Sequence, residues 1–163
     1  MNALDGELRD GRHVMSVRVY YEDTDFSGIV YHANYLRFME RGRTNHLRLL
    51  GAQHRALFEE ASAQTPGFAF VVRSMQIEFL KPARMDDVLV VVTGPQDVKG
   101  ASIVLQQRIL RRDELLVEAH VRVAFVCNGR ARPIPKALRN RHARRSGACW
   151  PLSGRDCALA RVR

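Results

Sequence analysis

Cysteine is scarce in this chain of 163 residues: Cys127, Cys149 and Cys157 are the only three, unevenly spaced. That is too few for a disulfide framework, and the spacing is not that of a zinc site. Long apolar runs are also missing. The longest, such as residues 88–92, fall far short of the roughly 20 residues that span a bilayer. The opening stretch MNALDGELRDGRH is polar, carries both charge signs and lacks the apolar centre of a signal peptide. A reducing cytoplasm is therefore the expected compartment. No aromatic-rich strand motif of the kind that stacks bases occurs, which removes one usual sign of RNA recognition.

What remains is the composition of an ordinary globule, 46% hydrophobic and 26% charged, long enough to bury a core without covalent staples. The net charge of +9 is concentrated at one end, where residues 136–163 hold eight basic side chains against the single acid Asp156. The remainder is close to neutral. Residues 1–136 are thus expected to form the domain, and residues 137–163 a basic tail outside its core. The tail, with its isolated Trp150, reads as a solvated extension, and neither a nucleic acid nor a membrane is expected as a specific partner.

Residues 15–22 are rich in Val and Tyr and predict a strand. Beyond Gly28, Tyr35, Phe38, Met39, Gly42, His46, Leu49 and Leu50 recur at helical spacing, predicting a helix from an Asn34 N-cap to about Leu50, with Gly51 as its stop. Gly42 within the apolar stripe predicts a close approach to a sheet. A short second helix is expected over residues 53–61. Strands are then predicted over residues 68–80, 88–98, 102–110 and 116–126. In the last, Val117, Ala119, Val121, Val123 and Phe125 alternate with polar residues. Val71, Arg73, Met75, Ile77 and Phe79 are expected to share one side of the second strand. No crossover helices separate the later strands, so the sheet should be antiparallel. The predicted fold class is α+β, one long helix against one curled antiparallel sheet.

The stretch DTDFSGIVYHAN, residues 23–34, invites two readings. Acids at alternate positions and Gly28 in sixth place imitate a calcium-binding EF-hand loop. However, its twelfth residue is Asn34 where a bidentate carboxylate is needed, and the preceding Val17-Arg18-Val19-Tyr20-Tyr21 favours strand over helix. No second acidic cluster supports two-metal chemistry, and no metal site is predicted. The other reading is an active-site loop. It offers the carboxylate of Asp25 and a histidine, His32, beside a helix start whose unpaired amides can stabilise an oxyanion. Such a site suits acyl transfer to water.

The run Tyr20-Tyr21-Glu22-Asp23-Thr24-Asp25, followed by Gly28-Ile29-Val30-Tyr31-His32-Ala33-Asn34-Tyr35, closely resembles the signature of hot-dog-fold acyl-CoA thioesterases. The likeness is to the YbgC-like, Tol-Pal-associated group, relatives of 4-hydroxybenzoyl-CoA thioesterase. It continues through residues 38–41, 77–83 and 86–88 and ends near Pro133-Ile134-Pro135. The resemblance implies a five-stranded antiparallel sheet wrapped around one helix, and a homodimer or homotetramer with active sites between subunits. It also implies that Asp25 is the catalytic carboxylate, that Tyr21 and His32 accompany it, and that the His32 amide polarises the thioester carbonyl. Coenzyme A enters as part of the substrate, and no separate cofactor is expected. Lys99 and Ser102, in the segment after the third strand, and Arg84 are the candidate contacts to its phosphates.

Plainer roles stand beside these. Asp23 and Asp25 also suit turn and helix capping, Tyr21 packing, and Lys99-Gly100 a solvated hairpin; Glu40 on the helix is a further candidate carboxylate, with Arg41 and Arg43 as ion-pair neighbours. Phe26, Ser27, Phe68 and Phe70 are candidates for shaping the acyl pocket. His13, His46, His54, His120 and His142 belong to no motif. The rival functions are an acyl-thioester hydratase or dehydratase of the same fold, a thioesterase acting on acyl carrier protein, and a non-enzymatic binding module.

Overall fold

The computed structural model describes residues 3–53, 59, 62–63, 66–135 and 139. Most of the second helix expected over residues 53–61 lies outside the described residues, as does the tail of residues 137–163 apart from Arg139. Seven strands form one sheet: β1 (Glu7–Arg9), β2 (Arg12–Arg18), β3 (Ala69–Phe79), β4 (Val88–Lys99), β5 (Ser102–Arg111), β6 (Glu114–Cys127) and β7 (Arg130–Ala131). The helix α1 (His32–Gln53) lies between β2 and β3 in sequence. No helix among the described residues is long and apolar enough to cross a membrane.

Every strand pairing is antiparallel, in the order β1-β2-β4-β5-β6-β3, with β7 added to β6. The expected fold class therefore holds, while the topology differs from a simple meander. β3 skips its successor and pairs with β6, so it becomes the outer edge of the sheet. β1 and β7 extend the five long strands.

The core lies between α1 and the inner face of the sheet. Tyr35, Phe38 and Met39 of the helix are buried with Leu89 and Val91 of β4, Ile109 of β5 and the alternating set Val117, Ala119, Val121, Val123 and Phe125 of β6. Gly42 does sit where helix and sheet approach. A Cβ there would lie 2.9 Å from Thr93 Oγ1 and 3.1 Å from Val91 Cγ1.

Three local expectations are corrected. The strand expected over residues 15–22 is β2, Arg12–Arg18, preceded by the short β1; Tyr21–Asp23 instead form a single 3-10 turn. The helix begins at His32, so Asn34 is inside its first turn and its side chain donates to the Asp23 carbonyl at 2.9 Å instead of capping. In β3 the register shifts between Val72 and Ser74, so the alternation breaks at Arg73. Phe70, Met75 and Ile77 pack on the core, whereas Val71 and Arg73 are exposed.

Candidate active site at the start of the helix

The segment between β2 and α1 is held by its own backbone. The Asp25 amide donates to Ile29 O at 2.9 Å and the Gly28 amide to Asp25 O at 2.9 Å, closing a turn in which Gly28 has φ 73°. The Tyr31 amide and the Asn34 side chain both donate to Asp23 O, and the Val30 amide donates to Ala83 O at 2.9 Å. The Asp23 carboxylate accepts the Tyr20 amide at 2.8 Å, which makes Asp23 a capping residue of the 3-10 turn. Tyr35 fixes the neighbouring segment: its buried hydroxyl accepts the Ala83 amide at 2.9 Å, and burial raises its pKa above the ordinary phenol value.

With the backbone secured in this way, the candidate side chains are left open. Asp25 is exposed; its Oδ1 accepts the Ser27 amide at 2.8 Å, and its Oδ2 has no partner among the described residues. Tyr21 and Phe26 project into solvent, with 82% and 109% of their surface exposed. His32, the first residue of α1, rests against the rings of Tyr31 and Phe79 at 4.4 and 6.2 Å. At the helix start the Asn34 amide is taken up by Tyr31 O at 2.8 Å, and the His32 and Ala33 amides have no acceptor among the described residues. No hydrogen bond joins Tyr21, Asp25 and His32 to one another among the described residues. The structure places them on one short segment between β2 and the start of α1. No group of His, Cys, Asp and Glu among the described residues is arranged to hold a metal.

The three candidate phosphate contacts are not together. Arg84 pairs by a backbone bridge with Ile29, so it flanks the Asp25 segment. Lys99 and Ser102 face each other where β4 turns into β5, at the end of β4 that is eleven residues, or about 36 Å at ~3.3 Å per residue, from Val88. Lys99 is engaged by Asp97 at 3.0 Å. Ser102 instead lines a recess of 320 Å³ on the outer face of the sheet with Arg73, Ser74 and Arg122. Neither arginine has an ion-pair or hydrogen-bond partner among the described residues. Sequence reasoning missed both; the only signal was an arginine at the break of β3 and one on the polar side of β6. On the inner side of the same strand, a cleft of 170 Å³ is lined by Phe70, Val72, Leu105, Glu40, Thr44 and His46. Phe68 packs on Phe125 at 5.0 Å and belongs to the core.

One long helix laid on a curled antiparallel sheet, with an open carboxylate at the helix start, defines an α+β hot-dog enzyme. The model of the thioesterase-like superfamily matches residues 19–141. An acyl-CoA thioesterase YbgC of Haemophilus influenzae is 45% identical over 134 residues, 81% of this chain and 95% of its own. An acyl-CoA thioester hydrolase YbgC of Escherichia coli O6:H1 is 46% identical over 125 residues, 75% of this chain and 89% of its own. Among solved structures, a probable thioesterase from Bartonella henselae superimposes with TM-score 0.64 at 39% identity, over 77% of this chain and 99% of that one. A variant of 4-hydroxybenzoyl-CoA thioesterase bound to 4-hydroxybenzoyl-CoA gives TM-score 0.70 at 21% identity, over 81% and 99%, a likeness of fold. The chain belongs to the thioesterase-like superfamily, and the enzyme class expected from the sequence, a thioester hydrolase, stands with it.

Proposed function

We propose that the protein hydrolyses acyl-CoA thioesters to coenzyme A and a carboxylic acid, with Asp25 as the base or nucleophile. The observation that carries this is the exposed Asp25 carboxylate, steered by the Ser27 amide, on the segment that leads to two amides at the start of α1 with no acceptor among the described residues. The carbonyl oxygen of the thioester accepts from the His32 and Ala33 amides, so negative charge developing on it meets fixed donors. Asp25 either deprotonates a water or attacks the carbonyl to give an anhydride that water opens; in both routes the thiolate leaves and the carboxylate is regenerated. His32 and Tyr21 line the approach to the carbonyl.

The working unit in this reading is a homodimer joined through β3. That strand is an eleven-residue sheet edge with Val71, Val72 and Phe79 exposed, the sort of edge that proteins seldom leave uncovered. Antiparallel pairing of two copies about a two-fold axis sets Phe79 of one near Val71 of the other. Phe79 touches His32, while Val71 shares a row with Ala124 and Ser102. Each Asp25 segment then lies beside the β3 edge of the other copy. The cleft receives the acyl chain, and Arg73, Arg122 and Ser102 receive the phosphates. This arrangement also explains how Arg84 and Ser102, far apart in one chain, serve a single ligand.

The test is thiol release from a panel of acyl-CoAs and an acyl carrier protein thioester, comparing wild type with Asp25→Asn. Turnover by wild type and its loss in the variant support the proposal. Near-normal turnover by folded Asp25→Asn refutes the assignment of Asp25, and inactivity of folded wild type toward every CoA ester refutes the substrate.

A further inference from the structure

Behind the C-terminal half of α1, away from the Asp25 segment, two imidazoles are stacked in the protein interior. His13 on β2 is fully buried and His46 on α1 nearly so, with ring centroids 6.2 Å apart and planes within 18° of parallel. His13 Nε2 lies 2.6 Å from the Asp5 carbonyl oxygen. A carbonyl only accepts, so this nitrogen carries the ring proton and Nδ1 is bare. Nδ1 is buried and has no hydrogen-bond partner among the described residues. A second proton taken up there creates a cation in the interior with no acceptor for its new N–H.

The carbonyl that fixes this tautomer belongs to residues 3–9, a strap made of the 3-10 turn Ala3–Asp5 and the short strand β1, folded back over β2 and α1. Side chains of α1 tie it down. Arg48 donates to the Asp5 carboxylate at 2.8 Å, and Asn45 donates to Leu4 O at 3.3 Å. Gly6 connects the two parts at φ 73°, and a Cβ there would lie 2.3 Å from Val14 O and 2.9 Å from His13 Nε2. The strap therefore lies directly on the ring.

We propose that residues 3–9 are a proton-released strap, docked while His13 is neutral and freed when His13 is protonated at Nδ1. The groups facing the ring are Asp5 from the strap, Leu8 from β1, His46 from α1 and Thr93 from β4. Asp5 attracts a proton to His13, but its carboxylate is already engaged by Arg48, and Thr93 brings no charge. Arg12 extends over Gly94, on the other face of the sheet. Burial outweighs the attraction of Asp5 and lowers the His13 pKa below its ordinary value of 6.5. In the freed strap the ring meets water and that ordinary value returns. The docked state thus binds fewer protons, so docking is undiminished above pH 6.5 and weakens as pH falls below it. Because His46 also lines the 170 Å³ cleft, release reaches the wall of that cleft from behind.

The test is hydrogen exchange followed by mass spectrometry on the full chain at about pH 7.5 and about pH 5, corrected for intrinsic rates. The proposal expects peptides covering residues 3–9 to lose protection by about ten-fold at the lower pH, while β5 and β6 stay protected. His13→Gln, whose side-chain amide still donates to Asp5 O but does not titrate, abolishes the pH dependence. Gly6→Ala leaves the strap unprotected at both values. An unchanged strap in wild type, or the same acid loss in His13→Gln, overturns the proposal. Should His13→Gln not fold, nitrogen NMR of the wild-type imidazoles decides: the Nε2–H tautomer with a depressed titration supports the strap, and titration at or above the ordinary value refutes it.

Discussion

The start and the middle of α1 handle polar groups in opposite ways. At the end that begins with His32, the main chain does the holding: amides of Asp25, Gly28, Val30 and Tyr31 bond to carbonyls, and the side chains of Tyr21, Asp25 and His32 stay open. Further along the helix, side chains do the holding. Gln107, fully buried, donates to Met39 O and to Thr93 Oγ1 at 2.8 Å each and accepts from Arg43 at 2.8 Å. An end held by backbone can change its side chains without losing its shape, which is what a reactive site needs. A stretch held by side chains fixes how the helix sits on the sheet, and there a substitution reaches stability first.

The largest expected effect lies at the open end. Asp25→Asn should lower kcat by about 10²- to 10⁴-fold, the range for a positioned acid-base group. Its melting temperature should stay within about 2 °C of wild type, since one amide contact to an exposed carboxylate is all that changes. A thermal melt beside the thiol-release assay checks both halves. A melting point several degrees lower would break the comparison by showing that Asp25 also holds the loop.

Gln107→Leu should do the reverse. It strips partners from Met39 O, from the Thr93 hydroxyl and from the half-buried Arg43 guanidinium, whose pKa burial already lowers. Leaving such groups unpaired costs about 1–3 kcal/mol, and urea unfolding should show a lower midpoint at unchanged slope. The kcat of the molecules that remain folded should be close to wild type. A large fall in kcat with stability intact would mean that the start and the middle of the helix are coupled.

Arg73→Ala with Arg122→Ala tests a smaller effect on the outer face of the sheet. If the recess takes the phosphates, KM for acyl-CoA should rise about ten-fold, near 1.4 kcal/mol, with kcat little changed. A pantetheine thioester, which lacks the nucleotide, should show no difference between variant and wild type. An equal KM for the CoA ester would remove the recess from the binding site.

The parts of the fold written in local pattern were legible. The alternation of Val117, Ala119, Val121, Val123 and Phe125 describes β6 correctly, and the apolar stripe from Tyr35 to Leu50 describes the buried face of α1. Gly42 was correctly read as a close approach. What escaped depends on pairing between distant segments. The shift at Arg73 turns the alternation of β3 over halfway along, and nothing in the strand's own residues announces it. Asn34 has the composition of a cap, yet its partner is Asp23 O, eleven residues earlier. The strap over His13 carries almost no periodic signal in its three-residue strand. Asp25 and His32 stand out as candidates in the sequence because the DTDFSGIVYHAN segment is continuous; the Arg73–Arg122 recess does not, because it joins two strands 49 positions apart and becomes visible only once β3 lies against β6.

The smallest expected effect concerns a cluster of ion-paired side chains that flanks the open end. Arg111 donates to Asp87 at 2.8 Å and to Glu114 at 2.6 Å, and Lys81 donates to Glu114 at 2.7 Å. These residues flank Ala83, whose carbonyl holds the Val30 amide. Burial opposes ionisation of Asp87, but the Arg84 amide and the Arg111 guanidinium outweigh it, and its carboxyl lies below the ordinary value of 3.8. The Glu114 carboxyl is held below 4.5 by Lys81 and Arg111. Both pKa values are depressed in the folded state, so what these pairs add to stability is complete above the ordinary values and is lost as pH falls through the folded ones. The cluster is open to water, and salt screens it. Arg111→Ala should therefore lower the melting temperature by only about 1–2 °C near neutrality. The gap should close as pH drops below the ordinary carboxylate range, and it should shrink in high salt. A gap that persisted at low pH would mean that Arg111 acts through packing of its stem, and the open end of α1 would then owe its shape to side chains after all.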